Sequence, residues 1–415
     1  MSTSRSLEDS DKSTDIILQD SWRAWSVTGA AFVGLLFSIG VLVVYSFGIL
    51  TGAIALDFTW SEFQRSSLFV SFSLCSTIAG PVWGAVADRI GSRRVVIVSS
   101  ILLAGCFWLL GAIPKNYLLA HLVFGLVGLL GSGTLPPTYA SLVIGWFKRY
   151  RGLALGIAMI GVGVGAFLLP PIAAKIVSIR GWRDLCGTYG MLIVFVSLPC
   201  ALTCLRAYPD SLERSQTVSR DLRALLAREK KQARIWILSV FAFLTGAVLV
   251  AGVTNFVPLL QSRGEALSRA AQYQAFLGLS LIIGRLVGGA LLDRVFAPRV
   301  VTAILAVTAS GLAVFAIANS PTAYVFAAVG IGLSIGVEID FLAFIVSRYF
   351  DRSAFTTIFA FLFAMYSIGA TVGPAGFGWA LQVTGSYRAG LLSSSALMLA
   401  LSLCMYFLPR YEEET

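Results

Sequence analysis

A chain of 415 residues that is 57% hydrophobic and only 13% charged, with a mean hydropathy of +0.83, holds more apolar side chains than a water-soluble globule can cover. This excludes a soluble enzyme, a disordered chain and a disulfide-stapled secreted module, and leaves an integral membrane protein with many spans. The net charge of +10 does not signal nucleic acid, because the 31 Lys and Arg fall in small clusters between apolar runs, the distribution the positive-inside rule produces.

Residues 1–25 read as a polar cytoplasmic tail without a cleavable signal. Twelve runs long enough to cross a bilayer follow, near 26–50, 67–87, 94–113, 118–145, 152–175, 187–206, 235–260, 271–292, 300–318, 322–347, 355–381 and 388–409. Residues 207–234 form the longest polar stretch and divide the chain into a half of six spans (26–206) and a second half of six (235–409), with a short tail at 410–415. Placing both termini in the cytoplasm puts most basic residues inside, and a bacterial inner membrane is the expected setting. This count takes Arg65 as a residue of an outside loop.

The halves share signals at a constant offset. Gly84-Ala85-Val86-Ala87-Asp88-Arg89 follows span two, and Gly289-Ala290-Leu291-Leu292-Asp293-Arg294 follows span eight. Gly181-Trp182-Arg183 and Ser386-Tyr387-Arg388 precede spans six and twelve at the same spacing. Repeated anchors imply duplicated halves. The expected fold is therefore all-α, with twelve transmembrane helices in two pseudo-symmetric six-helix halves and a binding site between them near the midplane.

The run Gly84, Asp88, Arg89, Gly91, Arg93, Arg94 resembles the loop signature of the major facilitator superfamily, in which the glycines let helices approach and the charges form a cytoplasmic latch. Trp146-Phe147-Lys148-Arg149-Tyr150-Arg151-Gly152, with the glycines that follow, resembles the span-five signature of the monocarboxylate transporters and their oxalate/formate-exchanger-like relatives. Asp20-Ser21-Trp22-Arg23-Ala24-Trp25 is similar to that family's first signature, and Gly284-Arg285 to its intramembrane arginine. The resemblance implies a carrier that works by alternating access, usually as a monomer. Proton-coupled members of the family carry a Lys late in span one and an Asp one turn before the arginine. Phe47 and Leu281 stand at those places here.

Arg285, Glu338 and Asp340 lie inside apolar spans, where a charge is costly and usually faces a cavity or a partner. Arg285 and Asp340 each precede the end of their span by eight residues, so both lie roughly 12 Å from that edge. Glu338 and Asp340 are two residues apart and point to different faces of their helix, so both cannot meet Arg285 equally. The expectation assigns Arg285 to a substrate carboxylate, Asp340 to a cytoplasmic network or proton relay, and Glu338 to the cavity. Tyr45, Tyr139, Asn255 and Tyr366 are candidates for hydrogen bonds to the substrate.

No metal site is expected from one histidine and six scattered cysteines. The glycine run at 161–165 lacks the strand–turn–helix setting of a nucleotide loop, so no cofactor is expected. The leading function is a secondary carrier of small organic anions, most of all monocarboxylates, coupled to protons or to a counter-anion. The alternative is a carrier or exporter of a cationic, zwitterionic or drug-like solute that uses Glu338 and Asp340. A transporter-like sensor is a third class, with no sequence feature in its favour.

Overall fold

The computed structural model describes residues 21–147, 150–206, 233–292, 294–350 and 355–408. The predicted loop at 207–234 falls outside them, except that Ala233 and Arg234 already belong to span seven. Asp293, Lys148, Arg149 and the tail at 410–415 also lie outside.

Among the described residues, twelve helices are long and apolar enough to cross a membrane. Spans one to six are Trp22–Tyr45, Glu62–Ile90, Ser92–Gly111, Tyr117–Trp146, Arg151–Arg180 and Trp182–Thr203. Spans seven to twelve are Ala233–Ser262, Leu267–Leu292, Ala297–Ile317, Pro321–Tyr349, Phe355–Thr384 and Tyr387–Tyr406. A further helix, Phe47–Phe58, prolongs span one.

Most helices overrun the predicted limits, and span two shows why. A hydropathy reading stops at Arg65, yet the helix starts at Glu62. Ser61 accepts from the Gln64 backbone N–H, and the Gln64 side chain accepts from the Ser61 N–H. This reciprocal cap satisfies two orphan donors and fixes the helix start. The other end of span two turns at Gly91, whose φ of +89° disfavours any residue with a Cβ.

Three spans of the first half are interrupted. Span one relaxes into a π-helical stretch at Gly40–Tyr45. Span four breaks at Ser132–Thr134, where Leu135 is extended ahead of Pro136. Proline disfavours helical backbone in the residue before it, which accounts for that break. Span six carries a π stretch at Ile193–Ser197 just before Pro199.

Adjacent spans run in opposite directions, so the arginine-rich turn between spans two and three marks one side of the molecule, the basic side. The halves meet through spans one and seven, two and eleven, and five and eight. The contacts are close because glycines meet backbone or side chains with no Cβ between. A Cβ on Gly278 of span eight would stand 2.3 Å from the backbone of Phe167 in span five. One on Gly48 would stand 2.7 Å from Pro258 of span seven, and one on Gly378 of span eleven 2.6 Å from Ser66. Ser73 of span two also bonds Thr371 of span eleven at 2.7 Å. These contacts lie at mid-depth or toward the side opposite the basic one.

Candidate functional site

Spans eight and ten pack along a glycine seam. Cβ atoms on Gly284 and Gly336 would clash with the Leu333 and Leu281 carbonyls at 2.7 and 2.5 Å. This close approach places Arg285 beside Asp340. The guanidinium Nε stands 3.7 Å from Asp340 Oδ2, within ion-pair range but beyond hydrogen-bonding distance. Nε itself has no hydrogen-bond partner. The Arg285 side chain is 17% exposed and that of Asp340 41%. The shared depth read from the sequence therefore corresponds to an observed pair.

Tyr45 of span one lies within electrostatic reach of Arg285. Tyr366 of span eleven is within reach of both Tyr45 and Glu338. Tyr366 continues a stacked aromatic row through Phe363 to Phe359, at centroid spacings of 6.0 and 6.4 Å. Arg285, Asp340, Tyr45 and Tyr366 thus form one cluster drawn from both halves.

Three other candidates stand elsewhere. Tyr139 is buried inside the first half, its ring 2.3–2.5 Å from where a Cβ on Gly34 would be. It packs span four on span one. Asn255 is buried and accepts from Arg65 at 2.6 Å, while its amide donates to the Ala251 carbonyl at 3.0 Å. Its hydrogen-bonding groups already have partners. Glu338 is 4% exposed and bonds the Thr245 hydroxyl of span seven, in a small cavity apart from the Arg285–Asp340 pair.

The places of the family's missing Lys and Asp are taken by apolar packing. Phe47 meets Phe69 edge-on at 5.0 Å, and Leu281 lies against Gly163 of span five. In the loop signature, Arg93 donates to the Leu202 carbonyl at 2.8 Å and Arg94 to Ile90 at 3.5 Å. Among the described residues Asp88 has no ion pair within 4 Å, so the expected latch is not formed here. Arg89 and Arg294 are exposed, and Gly84 has open space around it.

Two buried residues escaped the sequence reading. Arg65 is 1% exposed; it donates to Glu62 at 2.8 Å and to Asn255 across the halves. The capping pattern Ser61–Gln64 would have moved the start of span two and brought Arg65 inside it. Gln274 of span eight is 1% exposed and donates to the Tyr45 carbonyl at 2.8 Å, a group that the π stretch of span one presents to it. An amide in an apolar span, two residues after Gln272, is its only sequence signal.

Twelve apolar helices in two groups of six, with charged side chains inside the spans where the groups meet, define a membrane transporter. The chain belongs to the Major Facilitator Superfamily, whose family model matches residues 29–340. A 38 kDa protein of the 23S RNA operon of Thermoproteus tenax is 30% identical over 91% of this chain and 94% of its own length. Monocarboxylate transporter 13 of Rattus norvegicus is 26% identical over 94% of this chain and 90% of its own. A crystal structure of a point mutant of the nucleoside transporter NupG superposes with a TM-score of 0.76 at 15% identity, covering 92% of this chain and 99% of that one. The last two are named as transporters, not enzymes.

Proposed function

We propose that this chain is a secondary active transporter of small organic anions, monocarboxylates first among them, and that Arg285 binds the carboxylate. One observation carries the reading: a guanidinium held in an apolar span whose acidic neighbour stands 3.7 Å from it, leaving Nε without a hydrogen bond. Arginine offers five donors in a planar fork that fits a carboxylate bidentately. An entering anion would complete that set better than Asp340 does. Tyr45 and Tyr366, in the same cluster, are hydrogen-bonding groups proposed to assist it.

Displacement of Asp340 by the substrate carboxylate supplies a coupling step without the family's Lys. The freed acid either takes a proton, which gives symport, or waits for the next anion, which gives exchange. In this reading the basic side is cytoplasmic, both termini lie there, and a monomer in a bacterial inner membrane does the work. The cationic alternative loses ground because Glu338 is enclosed. The open cluster then holds one carboxylate against one guanidinium, with no surplus negative charge.

The test is uptake of labelled formate, oxalate, lactate, pyruvate and an aromatic acid into proteoliposomes, with and without an inward proton gradient. Arg285→Gln is expected to reduce uptake by a factor of about 10 or more, from the 1.5–3 kcal/mol of a hydrogen bond to a charged group. Movement of organic cations but of no acid would sink the proposal and make Arg285 a structural partner of Asp340.

A further inference from the structure

We propose that Glu338 is a proton-binding site separate from the carboxylate site, and that it is neutral in this conformation. Its place in the transport cycle rests on the anion reading above; its protonation does not.

Span ten presents two acids to different neighbours. Asp340 pairs with Arg285 of span eight. Glu338 lines a small cavity between spans seven, nine and ten, with Phe241, Thr245, Val301, Leu305, Ser334 and Val337 in its wall. The cavity is about 10 Å³, at the lower limit of room for a single water. No cationic side chain lines it. Tyr366 on span eleven is within electrostatic reach of Glu338, Asp340 follows it by two residues on the same helix, and Arg285 pairs with Asp340.

The hydrogens can be counted. Thr308 has one hydroxyl hydrogen, with the Gly330 carbonyl at 2.7 Å and that of Ile304 at 3.0 Å within its reach. Ser334 is 2.7 Å from the same hydroxyl, and either of the two can donate. Ser334 makes no hydrogen bond to Glu338 Oε2, which has no partner. Thr245 also has one hydroxyl hydrogen, which it donates to Glu338 Oε1; the Phe241 carbonyl, 2.8 Å from the same hydroxyl, already accepts a backbone N–H of its helix. An ionised carboxylate in that position would be buried with a single hydroxyl donor and no counter-charge in the cavity wall, which is strongly unfavourable. One bound proton removes the charge.

Tyr366 links the two sites. Its backbone sits against Gly246, next to Thr245, and its ring is within electrostatic reach of both Glu338 and Tyr45. Movement of span eleven against span seven would therefore disturb the Glu338 pocket and the anion cluster together. The chemical step is one proton bound to the Glu338 carboxyl in one conformation and released to water in the other. No other atom changes hands.

The test is infrared spectroscopy of the full chain in liposomes. A buried protonated carboxyl gives a C=O stretch apart from the amide bands that shifts in deuterium oxide. The band is expected in the unaltered protein at neutral pH, absent in Glu338→Gln and retained in Asp340→Asn. Thr245→Val, which removes the partner hydroxyl without altering charge, is expected to shift the band without abolishing it. This variant and the unaltered protein keep the test decisive if Glu338→Gln folds poorly. Absence of the band at neutral pH, or its survival in Glu338→Gln, overturns the proposal. In uptake assays Glu338→Gln is expected to lose stimulation by a proton gradient. Stimulation that persists, or that a sodium gradient provides instead, overturns it as well. If no organic anion moves at all, the anion reading fails while the infrared result still decides the proton site.

Discussion

The two ends of this helix bundle are built from similar residues and treated differently. Toward the side opposite the basic one, the halves close on each other through bare backbone and buried polar bonds. Gly278 meets Phe167, Gly378 meets Ser66, and Arg65 reaches across to Asn255. Tyr387 of span twelve adds a hydrogen bond to Glu62 at 3.2 Å. On the basic side Gly84, Gly152, Gly156 and Gly289 have nothing within 4 Å of where a Cβ would stand. Small residues permit close approach but do not enforce it. The difference teaches that closure is a property of the conformation, with the polar bonds selecting which end is shut.

The strongest way to break the comparison is Arg65→Ala. The Arg65 bond across the halves is a charged hydrogen bond to the Asn255 amide, worth about 1.5–3 kcal/mol. The closed end is expected to open, shifting the population by a factor of about 10 or more. Ser66→Cys, buried here, reports this through labelling by an impermeant maleimide once the native cysteines are replaced. Unchanged labelling would mean that Arg65 does not hold the seal.

Next comes a matched pair of glycines. Gly278→Ala places a Cβ 2.3 Å from the Phe167 backbone and is expected to cost about 1–3 kcal/mol as overpacking. Gly156→Ala enters open space and is expected to leave thermal stability within about 0.5 kcal/mol. Equal melting temperatures for the two variants would erase the distinction between the ends. Gln274→Leu is expected to cost about 1 kcal/mol, one hydrogen bond across the halves, read as a modest loss of thermal stability.

The smallest effect concerns acid. Asp57 accepts from Arg183 at 2.9 Å and from the Trp182 indole at 3.1 Å, and these bonds hold its carboxyl below the usual aspartate range. A depressed value in the folded state contributes stability that is complete above the ordinary pKa of about 3.9 and is lost as pH falls through the lower folded value. Asp57 is exposed, so the loss is slight. Acid titration of the melting temperature is expected to flatten at its low end in Asp57→Asn.

The pairing of Arg285 with Asp340 was legible from spacing alone. Arg285 and Asp340 are each eight residues from a span end, and helices of fixed rise carry such residues to one depth. Tyr45 and Tyr366 join the same cluster. Asn255 and Tyr139 do not, because a polar residue in a span shows only that a partner is needed, never which one. Arg65 was misplaced for the same reason: its charge ends a hydropathy run, and its neutralisation by Glu62 and Asn255 is a fact of three dimensions.

Composition, run length and the repeated anchors determined by themselves that this protein is a twelve-span membrane protein of duplicated design. These follow from local rules, the bilayer's thickness and the helix's rise and period. Only the tertiary structure decided that Asp340 meets Arg285 while Glu338 is enclosed with Thr245, and that one end of the bundle is shut. Two side chains a short way apart on one helix point to different neighbours, and the identity of those neighbours is set by how distant helices rotate and pack.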